Sequence, residues 1–193
     1  EIPCEMAVVA IGVKPNVKLA RDSGLEIGDR GGITVDEFMK TNDENILAAG
    51  DCIEVKDQIT GSSIHAPYGD LANLQGRVAG ENAATGNGAK FPGSIMTGIC
   101  KVFDYQAGST GLSERAAKEH GYDYESVVTA GPDKPGFMSG LLLINKMVVD
   151  RKTKKLLGLQ CVGPADVSKQ VGLAAMAIKG TLTVDTMVPT DLP

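Results

Sequence analysis

Gly50 and Asp51 are the residues of this chain best placed to do chemistry, closing the short apolar run Ile46-Leu47-Ala48-Ala49. An apolar run bounded by a turn signal reads as a buried strand of an α/β sheet, although buried helix can show the same pattern. A carboxylate just past the carboxyl end of such a strand lies where open α/β sheets bind their ligands. The glycine before it lets the backbone approach a ligand closely, and the carboxylate can accept hydrogen bonds from ligand hydroxyls. The same pattern also fits an Asp that only caps its own turn.

Other chemical groups are sparse. Cys4, Cys52, Cys100 and Cys161 lie far apart in sequence, without the close spacing of a redox dithiol or a zinc site. Buried thiols acting as small hydrophobes account for them, with Cys52 set apart by its place directly after Asp51. That only His65 and His120 are present argues against a His-rich metal site, and no catalytic constellation stands out. The chain has 19 Lys+Arg against 24 Asp+Glu and a net charge of −5, and no basic block argues for a nucleic-acid partner. Its longest apolar runs, Leu141–Ile144 and Leu173–Ile178, are too short for a bilayer, and Glu1-Ile2-Pro3-Cys4 lacks the basic start of a signal peptide. The expected setting is soluble and cytoplasmic, with no membrane partner.

The elements that must position Gly50–Asp51 follow from local pattern. Met6–Gly12 reads as a buried strand, stopped by Gly12 and Pro15; beginning so abruptly, the chain reads as starting inside a domain of a larger protein. Val17–Ala20 fits a helical turn and Ile33–Asp36 an alternating strand. Asp70 is placed to cap a helix from Leu71 to about Asn82, with an apolar face of Leu71, Leu74 and Val78 and a stop at Thr85-Gly86-Asn87-Gly88. A domain boundary falls near Phe91-Pro92-Gly93. Beyond it, Ser94–Tyr105 reads as a strand and Gly108–Gly111 as a turn. Ser113 can cap a helix over Glu114–His120 that ends at Gly121, and Glu125–Ala130 is a strand. Leu141–Val149 and Leu156–Val162 form a hairpin around a charged turn, and Asp166 caps a helix over Val167–Lys179 with the stripe Val167, Val171, Ala174, Ile178. Strands with segregated helices make this half an α+β layer.

Three stretches, in order and spacing, resemble the pyridine nucleotide-disulfide oxidoreductases. Val8–Asn16 resembles the end of their NAD(P)H domain. Gly32-Ile33-Thr34-Val35-Asp36, Thr41 and Asn45–Asp51 are similar to their second FAD signature. Pro67 with Ala72–Arg77 resembles the helix that follows it in the coenzyme A-disulfide reductase, NADH oxidase and persulfide reductase branch. Lys101-Val102-Phe103, Ser109–Glu114 and Leu156–Gly163 resemble the C-terminal dimerisation domain.

The resemblance implies an α/β remnant of the FAD/NAD(P)-binding domains over residues 1–93, followed by an α+β dimerisation domain over 94–193. It implies electron transfer from NAD(P)H through FAD to a small-molecule acceptor of the disulfide, persulfide or oxygen type, in a homodimer formed through residues 94–193. The alternative is a dimerisation module without bound flavin. Thr41, Gly50, Asp51, Ala66, Pro67 and Ala72 are the implied cofactor-binding residues; no catalytic or metal-binding residue is implied. Asp51 would meet the ribityl chain, and the helix after Asp70 would aim its positive end at the isoalloxazine. Asn73, Gln75 and Arg77 fit surface or dimer-contact positions equally well. Neither glycine-rich dinucleotide fingerprint nor the family's redox cysteine occurs in these residues, so FAD retention by the 193 residues alone is not expected. Val188-Pro189-Thr190-Asp191 stands where the glutathione reductase branch has a His paired with a Glu. Asp133–Met138 carries none of the tyrosines of the coenzyme A-disulfide reductase branch, and that branch's closing Tyr-Ala-Pro-Pro would begin just after Pro193.

Overall fold

The computed structural model describes residues 2–86 and 88–191. Asn87 in the expected helix stop, and Glu1, Leu192 and Pro193 at the ends, lie outside the described residues. The chain divides into two compact units, Glu1–Val55 with Ser63–Pro92 and Lys56–Ser62 with Gly93–Pro193.

The first unit has little regular structure beyond two helices, α1 (Lys18–Asp22) and α2 (Gly69–Thr85). Its loops are held by single bridges, Ile27 to Ile33, Ile33 to Ile53 and Lys40 to Leu47. Met39, Ile33, Ile53 and Phe91 are buried there. Ile33–Asp36 and Ile46–Asp51, read as strands from sequence, are extended loops, the first with two bridges at Ile33 and the second with one at Leu47, and Ile46–Gly50 is only half-buried. The expected buried strand at Met6–Gly12 is no strand at all among the described residues: Val8 is 84% and Ile11 92% exposed. A strand is made by the neighbours that take its hydrogen bonds, and none is present here.

Helix α2 differs from its expected form in two ways. Its N-cap is Tyr68, with no side-chain cap, and Asp70 sits in the first turn rather than before it. Leu74 is half exposed and Leu71 and Val78 are only partly covered, while the fully buried side chains are Gln75 and Asn82. An apolar-stripe search misses such a face, because it scores amides as solvent-facing.

The second unit is built on a five-stranded antiparallel sheet of β3 (Gly98–Val102), β4 (Tyr105–Gly111), β5 (Tyr124–Pro132), β6 (Leu142–Asp150) and β7 (Leu156–Gly163), in the order β3-β4-β7-β6-β5. The hairpin of β6 and β7 forms as its alternation dictates. Two-residue strands β1 (Val55–Lys56) and β2 (Ser63–Ile64) bracket the short excursion 56–62. Helix α4 (Ser168–Lys179) covers one sheet face, burying Val171, Ala174 and Ile178 against Leu143, Cys161, Leu156 and Leu159. On the other face, α3 (Glu114–Glu119), capped by Ser113, packs Ala117 on Val148, Leu112 and Leu157. A four-residue helix, α5 (Val184–Met187), follows α4.

Ser94–Tyr105 is not one strand but the first arm of a hairpin that reverses at Phe103 and Asp104. Gly108–Gly111, expected as a turn, lies inside β4. A Cβ on Gly108 would sit 2.8 Å from Val171 Cγ2, so this glycine lets α4 approach the sheet. Across the face opposite α4, Val162, Ile144 and Val128 remain exposed.

Candidate functional site

The backbone around Gly50 makes a tight corner. Ile53 N–H donates to the Gly50 carbonyl at 3.2 Å, closing a four-residue turn with Asp51 and Cys52 at its tip. Gly50 has φ +89°, a conformation other residues adopt only with strain. A Cβ there would touch Ala72 of α2 at 3.8 Å, so the corner lies against the first turns of that helix. Its N–H donates to the Oε1 of buried Gln75 at 2.8 Å. Asp51 presents an exposed carboxylate, and its carbonyl accepts a 2.7 Å hydrogen bond from His65 Nε2. A carbonyl can only accept, so the His65 proton resides on Nε2.

His65 precedes Ala66, which is buried, and Pro67, which leads into the N-cap Tyr68 of α2. The structure therefore brings Gly50, Asp51, Ala66, Pro67 and Ala72 to the start of α2. Thr41 stands apart: its hydroxyl bonds the carbonyls of Asp43 and Ile46 at 3.1 and 3.0 Å, fixing the turn that feeds the 46–51 segment.

Behind the corner, Glu54 is buried and accepts from Arg30 N–H at 2.6 Å, Gly32 N–H at 3.1 Å and Ser63 Oγ at 2.5 Å. The carboxylate fastens the 28–32 loop to the segment that carries the corner. A Cβ on Gly28 would lie 2.4 Å from its Oε2, so a larger residue there would push the Glu54 carboxylate aside. Neither Glu54 nor His65 carries a motif that marks it in sequence. Gln75 could have been found by its spacing, seven residues before Asn82 and so on the same helix face.

Cys52 is half-buried, its Sγ 3.5 Å from the Ala49 carbonyl, and burial followed by the charge of Asp51 pushes its thiol up. It is no activated thiolate. Cys161 is buried, as expected of a structural thiol, but Cys4 and Cys100 are exposed rather than buried. Among the described residues no helix is long and apolar enough to cross a membrane.

The exposed Asp51 carboxylate can accept hydrogen bonds from hydroxyls, and the N–H groups that open α2 can donate to an acceptor. Comparison with known proteins assigns the class. Residues 1–70 match the pyridine nucleotide-disulphide oxidoreductase pattern, and residues 97–192 match the dimerisation domain of the same family. The chain belongs to the pyridine nucleotide-disulphide oxidoreductases.

Over all 193 residues it is 39% identical to a CoA-dependent NAD(P)H sulfur oxidoreductase of Pyrococcus furiosus, covering 43% of that protein. It superposes on 99% of its length with a NAD-dependent persulfide reductase from A. fulgidus, with a TM-score of 0.94, 44% identity and 36% of that chain covered. A water-forming NADH oxidase from Lactobacillus brevis matches 95% of the chain with a TM-score of 0.88 and 28% identity, over 40% of its own length. The chain thus spans well under half the length of each of these relatives.

Proposed function

We propose that these residues belong to a homodimeric FAD-dependent NAD(P)H oxidoreductase that reduces a disulfide, persulfide or oxygen-type acceptor. The observation that carries this reading is the Gly50–Asp51 corner, with its positive-φ glycine, exposed carboxylate and neighbouring helix start. These features fit a flavin. Asp51 would accept from a ribityl hydroxyl, Gly50 leaves room for the chain, and the N–H groups opening α2 favour electron density on the ring edge. Ala66, Pro67 and Ala72 would wall the site, while Thr41 acts through its turn. The bound flavin would supply the hydride and electron transfer.

The sulfur-reductase and NADH oxidase relatives named above support the acceptor class. Dimerisation through residues 94–193 is supported by the family's dimerisation domain and by apolar side chains left exposed on the sheet. The test is the visible spectrum of the purified full-length protein: flavin bands that bleach with NADH or NADPH are expected. Absence of flavin, or flavin that neither nucleotide reduces, would sink the proposal.

A further inference from the structure

Helix α2 carries two buried carboxamides on one face, seven residues apart, and they are used differently. Asn82 uses its whole capacity: Nδ2 donates to the Phe38 and Ala89 carbonyls, both at 2.9 Å, and Oδ1 accepts from Gly88 and Ala89 N–H at 3.0 and 2.9 Å. Gln75 is 1% exposed yet makes a single bond, its oxygen accepting from Gly50 N–H at 2.8 Å. Because a backbone N–H can only donate, the atom facing it must be the amide oxygen, which fixes where the NH2 points. Among the described residues no protein acceptor meets that NH2.

Among the described residues the fully enclosed side-chain atoms without a partner are Thr34 Oγ1 and Asn145 Oδ1; the Gln75 NH2 is not one of them, so it still reaches open space beside the helix and can donate to what fills it. Helical side chains lean toward the N-terminus, so the Gln75 amide lies over the Leu71–Ala72 turn, beside the place where Gly50 approaches Ala72. That spot adjoins Asp51 and the uncapped start of a 17-residue helix.

We propose that Gln75 is the positioning residue of this site: its oxygen sets the Gly50 N–H and hence the corner presenting Asp51, and its NH2 donates to an acceptor oxygen of the bound flavin. The inference rests on the flavin reading above. Asn82 is the built-in control, a latch of the same chemistry with nothing left to offer a ligand.

The experiment strips flavin from the full-length protein and titrates FAD back by visible absorbance, with far-UV circular dichroism to follow folding. Gln75→Met removes both functions and is expected to raise the FAD dissociation constant by about tenfold or more. Gln75→Glu keeps an acceptor for Gly50 but deletes the donors and adds a negative charge; the flavin midpoint potential is expected to fall and the absorption maxima to move. Asn82→Ala is expected to lower the denaturation midpoint while FAD affinity stays within about twofold, since it acts away from the donor. If folded Gln75→Met and Gln75→Glu both match the parent in affinity, spectrum and potential, the proposal is overturned. If Gln75→Met does not fold, Gln75→Glu decides alone. A parent protein that binds no flavin overturns the flavin reading first, and this inference with it.

Discussion

Every strand of the five-stranded sheet finds its neighbour within the second unit, whereas the apolar segment 6–13 of the first unit is exposed and finds none among the described residues. The buried polar groups do not divide the same way. In the second unit Thr110 pairs with Thr97 at 2.7 Å and Tyr122 OH with the Ile59 carbonyl at 2.9 Å, yet Asn145 Oδ1 finds no partner among the described residues. In the first, Asn82 is fully used while Gln75 bonds the loop corner. The second unit is organised around its own core, and the first around a corner that presents groups outward. Stability and ligand binding should therefore be separable by position.

The largest effect is expected at Gly158 in β7. A Cβ there would lie 2.0 Å from the Leu112 carbonyl and 2.7 Å from its nitrogen, backbone atoms that cannot give way without breaking the sheet. Gly158→Val should cost more than about 3 kcal/mol and abolish dimers in sedimentation; a stable dimeric variant would break the view of this unit as tightly self-completed. Leu143 is 1% exposed beneath α4. Leu143→Ala should cost about 3 kcal/mol in urea denaturation while FAD affinity of the folded full-length protein holds. Weakened flavin binding at unchanged stability would erase the separation.

A smaller effect belongs to the β6–β7 turn. Asp150 accepts from Thr153 N–H at 2.6 Å, Thr153 Oγ1 at 2.9 Å and Lys152 N–H at 3.0 Å. These bonds, the Thr153 amide first, hold its carboxyl below its ordinary value of 3.8. A depressed folded pKa contributes stability that is fully present above the unfolded value and is lost as pH falls through the folded one. Asp150→Asn should therefore be less stable than the parent at neutral pH, with the gap closing below about pH 4. A gap independent of pH would assign the turn's stability to something other than the carboxylate.

What could be read from sequence follows the same division. The hairpin of β6 and β7, the Ser113 cap, the stop at Gly121 and the stripe Val167, Val171, Ala174, Ile178 are local patterns, and the structure contains all of them. Gly108 lies in a strand and not in a turn, and a glycine needed for packing and a glycine needed for a turn look alike in one sequence. Met6–Gly12 has strand composition, but pairing is not a local property. At the site, Gly50 and Asp51 stand out through their motif and Gln75 only through its spacing from Asn82, whereas Glu54 and His65 act through contacts 22 and 14 residues away, which no local pattern records.

The proposed flavin contact at the Gly50–Asp51 corner is tested most directly at Asp51. Its carboxylate is exposed and makes no hydrogen bond or ion pair among the described residues, so Asp51→Asn and Asp51→Ala should fold as the parent does. Titration of the flavin-stripped full-length variants with FAD should show binding weakened by roughly tenfold to a hundredfold, the worth of a hydrogen bond to a charged group. Variants that bind FAD as tightly as the parent would contradict the assignment.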